Sequence, residues 1–150
     1  DKFLSSYCSI GVNNHKVHLS KPHRYMNESG LSVSKVCNYL DIPLENTLIM
    51  HDDLDLPHGI IRLKDSGGHG GHNGLRDIEN SLGSATFKRL RIGIGHPGKS
   101  SDVTNYVLSK FSSKEREILE KSMEASLIPL NLFLEGSWEE ALLNLHTIEK

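Results

Sequence analysis

The segment between residues 67 and 74 constrains the fold more than any other part of the chain. It reads Gly-Gly-His-Gly-Gly-His-Asn-Gly, five glycines in eight residues. Glycine loses more conformational freedom on ordering than any other residue, so this stretch is a loop rather than the interior of a helix or strand. Directly after it, Leu75, Ile78 and Leu82 recur at helical spacing, and Gly83 supplies a C-terminal stop. Residues 89–95 then alternate. Leu90, Ile92 and Ile94 face one way, and Arg91 and Gly93 the other, as in a strand.

The same change of period recurs elsewhere. Residues 7–12 and 16–20 flank Asn13-Asn14 and read as a hairpin. Val33, Val36, Cys37 and Leu40 lie on one face of a helix, with Ser29 as its expected N-cap and Pro43 beyond its end. Residues 47–50 form a short apolar run ending in charge, as expected of a buried strand reaching a sheet edge. Residues 60–64 alternate as another strand. After Gly98 the chain turns helical and acidic. Ser112 and Ser113 start one helix, Pro129 is expected to kink or split it, and Ser137-Trp-Glu-Glu has the capping-box pattern of a last helix. Strands interleaved with helices predict an α/β fold: a single layered domain over residues 1–150, with a mixed, twisted β-sheet flanked by helices.

Composition narrows the function. The chain has 150 residues, 37% hydrophobic and 24% charged, which excludes wholesale disorder. A net charge of −2 excludes a uniformly basic nucleic-acid binder. Charge is nonetheless segregated. Residues 59–99 carry a net +4 and residues 113–150 a net −4, so a local anionic partner near the middle of the chain fits. Cys8 and Cys37 match no paired metal spacing and read as reduced, partly buried thiols of a cytoplasmic protein. The longest apolar run, 127–134, is far short of the roughly 18 residues that a membrane span needs.

Three polar clusters stand at predicted strand ends or helix starts, where open α/β sheets bind ligands. In the first, residues 21–30, Asn27 precedes a helix and serves either as a turn or cap residue or as a ligand contact. In the second, residues 51–57, Asp52 and Asp53 point to opposite sides if the strand continues. Asp52 is placed to orient a histidine as the acid of a triad does; a solvated turn or a divalent-metal group are the other readings. The third is the glycine loop, whose backbone N–H groups at a helix start suit phosphate or an oxyanion. It is neither a P-loop nor a dinucleotide fingerprint, and His69 and His72 lack a third zinc-type ligand. Lys64 and Arg91, on the strands flanking this loop, form a candidate two-point phosphate clamp, with Arg62, Lys88 and Arg89 adding background positive potential.

KPHRYMNESG (21–30), HDDLDLPHGIIRLK (51–64), GGHGGHNGLRDI (67–78) and RLRIGIGHPG (89–98) together resemble the bacterial peptidyl-tRNA hydrolase family in content, order and spacing. The resemblance runs over essentially the whole chain, through SWEEALLNLH near its end. The family pattern begins with a strand, a Gly-Leu-Gly-Asn-Pro-Gly loop and an Arg-His-Asn segment carrying the general base. These motifs do not occur here, so the resemblance implies an N-terminally incomplete domain that lacks the family's first strand, with an exposed sheet edge and a general-base histidine outside this chain.

Residue by residue, the resemblance implies that Asn27 contacts the peptidyl-tRNA end and places the attacking water. Tyr25 and Met26 sit beside it. Asp52 implies the acid that keeps the catalytic histidine basic, and Asn73 the second asparagine of the site, with His72 next to it. Lys64 and Arg91 match the pair associated with the tRNA 5′-phosphate. The implied function is hydrolysis of the ester between peptide and tRNA in peptidyl-tRNAs released prematurely from the ribosome. It would need no metal or other cofactor, and the protein would act as a cytoplasmic monomer whose partner is tRNA, with a substrate drawn from the ribosome. Two alternatives are a non-catalytic RNA-binding member of the fold, as in splicing, or an inactive fragment. A third is a metal-dependent hydrolase built on His51, Asp52, His69 and His72.

Overall fold

A computed structural model describes residues 2–147. The chain divides into two compact units, one formed by Asp1–Leu48 with Asp65–Lys88, the other by Ile49–Lys64 with Arg89–Lys150.

The first unit opens with an antiparallel hairpin, β1 (Ser5–Val12) and β2 (His15–Pro22). Val12 faces His15 across a two-residue turn in which Asn13 and Asn14 have φ of 47° and 64°. Asparagine tolerates this left-handed geometry, and such turns match the twist of the flanking strands, which fixes the register. The expected hairpin is therefore present, with both strands longer than the alternation indicated. Cys8 on β1 is exposed rather than partly buried, and only Cys37 lies in the core.

Helices α1 (Gly30–Leu40) and α2 (Asn73–Leu82) pack together in this unit. A Cβ on Gly30 would lie 2.2 Å from Ser81 Oγ and 2.3 Å from the Asp77 carbonyl oxygen, so only glycine permits the approach. The expected cap is corrected here. The Ser29 hydroxyl points to the Met26 sulfur at 3.6 Å, and the free N–H of Gly30 donates instead to Asp77 Oδ2 at 2.7 Å. A carboxylate from the neighbouring helix thus serves the N-terminus of α1, combining charge with the helix dipole. At the far end of α2, Gly83 adopts φ 68° as the expected stop. Phe3, Val36, Cys37, Leu75, Ile78 and Phe87 form the core of this unit.

The second unit holds β3 (Leu48–Asp53), β4 (Ile61–Lys64) and β5 (Lys88–Gly93) in the sheet order β3-β5-β4. β4 and β5 are antiparallel. Thr47 O accepts from Lys88 N and Asp53 O from Ile94 N; the numbering rises together, which makes β3 parallel to β5 and the sheet mixed. Contrary to expectation, β3 is not a buried strand. Met50 is 50% exposed and only His51 is buried, because β3 lies at an edge of the described sheet and has a neighbour on one side only.

Arg89, expected to be a surface cation, is 1% exposed in the central strand. Lys88 is engaged by Asp65. Neither adds free positive potential.

The helical stretch expected after Gly98 opens with a short separate helix α3 (Val103–Val107) before α4 (Ser113–Ala125). Ser112 and Glu115 form a full capping box on α4. α5 (Leu127–Leu134) coincides with the apolar run, and the break before it falls at Ser126 rather than at Pro129. Pro129 sits in the first turn, where its missing N–H costs no helical bond. α6 (Trp138–Thr147) begins directly after Ser137 and packs against β4 and α5. Ile61, Leu63, Leu90, Ile94, Ala141 and Leu145 form the core of this unit. Among the described residues no helix is long and apolar enough to cross a membrane.

Candidate functional site

Each unit carries one polar cluster. In the first, a 3-10 turn (Met26–Glu28) packs onto the start of α2. The contact is close. A Cβ on Gly74 would lie 2.6 Å from Met26 Cγ, 2.7 Å from its Cε and 2.9 Å from its carbonyl oxygen. Gly74 therefore allows the segment bearing Tyr25, Met26 and Asn27 to meet the segment bearing His72 and Asn73. The side chains of Asn27 and Asn73 are exposed and make no hydrogen bond among the described residues. Asn27 thus caps no helix, and the amides of both asparagines are available as donors. Tyr25 is 83% exposed, an uncovered aromatic beside them.

His72 is half-buried and is the N-cap of α2, its Nδ1 accepting from Leu75 N at 3.2 Å. Because Nδ1 accepts, the ring proton of neutral His72 lies on Nε2. The His69 Nδ1 accepts from Gly71 N at 3.1 Å in the same way. Gly70 and Gly71, with φ of 58° and 82°, give the loop the left-handed turns that other residues adopt at a cost. Among the described residues no group of three or more His, Cys, Asp and Glu is arranged to hold a metal ion.

The second cluster lies on the sheet. Residues directly opposed across β4 and β5 are Arg62 with Arg91 and Lys64 with Arg89. Opposed residues share a face, as do residues two apart along a strand. Arg62, Lys64, Arg89 and Arg91 therefore all line one face, with Ile61, Leu63, Leu90 and Ile92 on the other. Lys64 is exposed, and its ammonium makes no ion pair among the described residues. The two members of the expected clamp thus stand on one face of adjacent strands.

Arg91 carries a partner that sequence reasoning missed. Its Nε donates to Asp53 Oδ2 at 2.7 Å. The signal was present, since Asp53 and Asp52 alternate along β3 and point to opposite sides. No spacing rule connects Asp53 with a residue on β5. Burial pushes the Asp53 carboxyl up. The hydrogen bonds from Arg91 and from Asp55 N, with the charges of Arg91 and His51, outweigh that and hold it below the usual aspartate value. Asp52 is half-buried on β3, on the face opposite Asp53. His51 is buried, and its Nδ1 lies 2.7 Å from the Asp52 carbonyl oxygen.

Comparison with known proteins joins these clusters to a family. The peptidyl-tRNA hydrolase family model matches residues 1–150. The match starts at the first residue, and the expectation of a lacking N-terminal portion is not borne out by it. The peptidyl-tRNA hydrolase of Saccharophagus degradans is 47% identical over 147 residues, covering 97% of this chain and 75% of that protein. That of Methylobacillus flagellatus is 49% identical over 132 residues, covering 88% and 69%. Among solved structures, the peptidyl-tRNA hydrolase of Acinetobacter baumannii superposes with a TM-score of 0.93 at 40% identity, covering 97% of this chain and 74% of that one. By sequence and by fold, the chain belongs to the peptidyl-tRNA hydrolase family.

Proposed function

We propose that this chain hydrolyses the ester joining a peptide to the terminal ribose of tRNA, and so recycles tRNA from peptidyl-tRNA that leaves the ribosome early. The family match over residues 1–150 is the observation that carries this reading. Water attacks the ester carbonyl. An imidazole takes its proton, supported by Asp52 as general-base partner. Asn27 and Asn73, whose amides have no other engagement among the described residues, donate to the water, the peptide carbonyl and the developing oxyanion. Such preorganised donors are worth about 3 kcal/mol each.

Tyr25, Met26 and His72 contact the tRNA end. Lys64 and Arg91 take the tRNA 5′-phosphate. The reaction needs no metal or other cofactor, and the protein works as a cytoplasmic monomer. The test is release of the acyl amino acid from an N-acetylated aminoacyl-tRNA in the presence of a strong chelator. Cleavage at an undiminished rate supports the reading. Tight tRNA binding without cleavage would favour a non-catalytic RNA-binding protein, and loss of cleavage on chelation a metal-dependent hydrolase.

A further inference from the structure

The bond between Arg91 and Asp53 leaves half of the arginine unused. A guanidinium sits most favourably on a carboxylate through two parallel N–H···O bonds. Arg91 makes one, from Nε, and its two terminal nitrogens make no hydrogen bond among the described residues. The carboxylate is not free to improve on this. Asp53 Oδ1 accepts from Asp55 N at 2.8 Å, so rotating toward the terminal nitrogens would break that bond. The Asp53 carbonyl accepts from Ile94 N at 3.0 Å, which ties its backbone to the strand that carries Arg91. The Asp53 side chain is 13% exposed and that of Arg91 26%, so the acid lies beneath and the arginine emerges above it. Lys64, with its unengaged ammonium, lies diagonally across on the same face.

Resting on the reading that Lys64 and Arg91 take the tRNA 5′-phosphate, we infer that Asp53 is the positioning residue for this contact. It grips Arg91 by Nε and presents the two terminal nitrogens as a fork matched to phosphate oxygens. Asp53 itself does not touch the substrate. Its carboxylate subtracts from the local positive charge, and what it contributes is the fixed direction of the fork. Discrimination between tRNA with and without a 5′-phosphate therefore depends on Asp53 as well as on the two cations.

The test is binding of the 150-residue chain to one deacylated tRNA in two forms, with its 5′-phosphate and after phosphatase treatment. The ratio of the two Kd values cancels any loss of folded protein. The wild-type chain is expected to prefer the phosphorylated form by about tenfold, the scale of one charge-assisted phosphate contact. Asp53→Ala should bring the ratio to within about twofold of unity, as Arg91→Ala does, and the double variant should lose nothing further. Asp53→Glu keeps the charge but moves the oxygens by one methylene, and it should also lose most of the preference. If Asp53→Ala and Asp53→Glu both keep the wild-type ratio while Arg91→Ala abolishes it, the carboxylate only neutralises charge and the inference falls. If Arg91→Ala and Lys64→Ala also leave the ratio unchanged, the phosphate reading itself fails, and the role of Asp53 with it.

Discussion

Asp52 and Asp53 are neighbours in sequence, yet they point to opposite faces of β3 and take different parts. Asp53 is committed to Arg91, whereas Asp52 is the acid we propose as the partner of the general base. Asp52→Ala should therefore lower turnover on the order of a hundredfold with little change in substrate affinity, and Asn73→Ala should do likewise. Steady-state and single-turnover kinetics on N-acetylated aminoacyl-tRNA would measure this. A rise in KM at constant kcat would assign both residues to binding instead.

Asp53 makes a prediction in pH. Its carboxyl is held below the ordinary value, so the stability it contributes is fully present above the unfolded-state pKa of about 3.9 and is lost as pH falls through the lower folded value. The difference in urea midpoint between the wild-type chain and Asp53→Asn should be full near neutrality and should close progressively below about pH 4. A difference that persists undiminished into strong acid would mean that the charge is not its source.

Packing between elements decides whether these residues are presented correctly. Gly74 lets the turn Met26–Glu28 lie against the first residues of α2. Gly74→Ala must move Met26, and because the Met26 carbonyl oxygen is among the close atoms, side-chain rotation alone cannot relieve it. The expected result is a loss of about 1–3 kcal/mol of stability together with a fall in turnover, measured by urea melting and kinetics on the same protein. Stability that falls without any change in turnover would separate this contact from the site.

At this scale the sequence is most and least informative. The hairpin, α1, α2 and β5 were legible because their signals are local: a turn pair, a 3.6-residue period, a strict alternation. The identity of the α1 cap was not, since Asp77 arrives from another helix. The burial of Arg89 was not either, because alternation assigns a side chain to a face and says nothing of what covers that face. Asn27 and Asp52 were legible as candidates from their polar clusters, and Asn73 only through the four ordered motifs. On spacing alone Asn27 and Asp52 each also had an ordinary structural reading.

Over the whole chain the net charge is −2, so on the function proposed above attraction to tRNA would rest on the basic face of β4 and β5 rather than on overall charge. On that face Arg89 is buried and Arg62 is half-buried and donates to the Ile61 carbonyl oxygen, which leaves Lys64 and Arg91 as the principal members. Lys64→Ala should weaken tRNA binding and reduce the slope of log K against log salt by about 1. An unchanged slope, from binding isotherms at several salt concentrations, would make Lys64 a bystander.

The central claim is tested most directly by timing the release of the acyl amino acid from an N-acetylated aminoacyl-tRNA. Two proteins would be compared, the 150-residue chain and its Asp52→Ala variant. The account predicts cleavage by the unaltered chain, reduced on the order of a hundredfold by Asp52→Ala. Equal cleavage by the two proteins would contradict the role of Asp52 as the partner of the base. Cleavage by neither protein would contradict the proposed function.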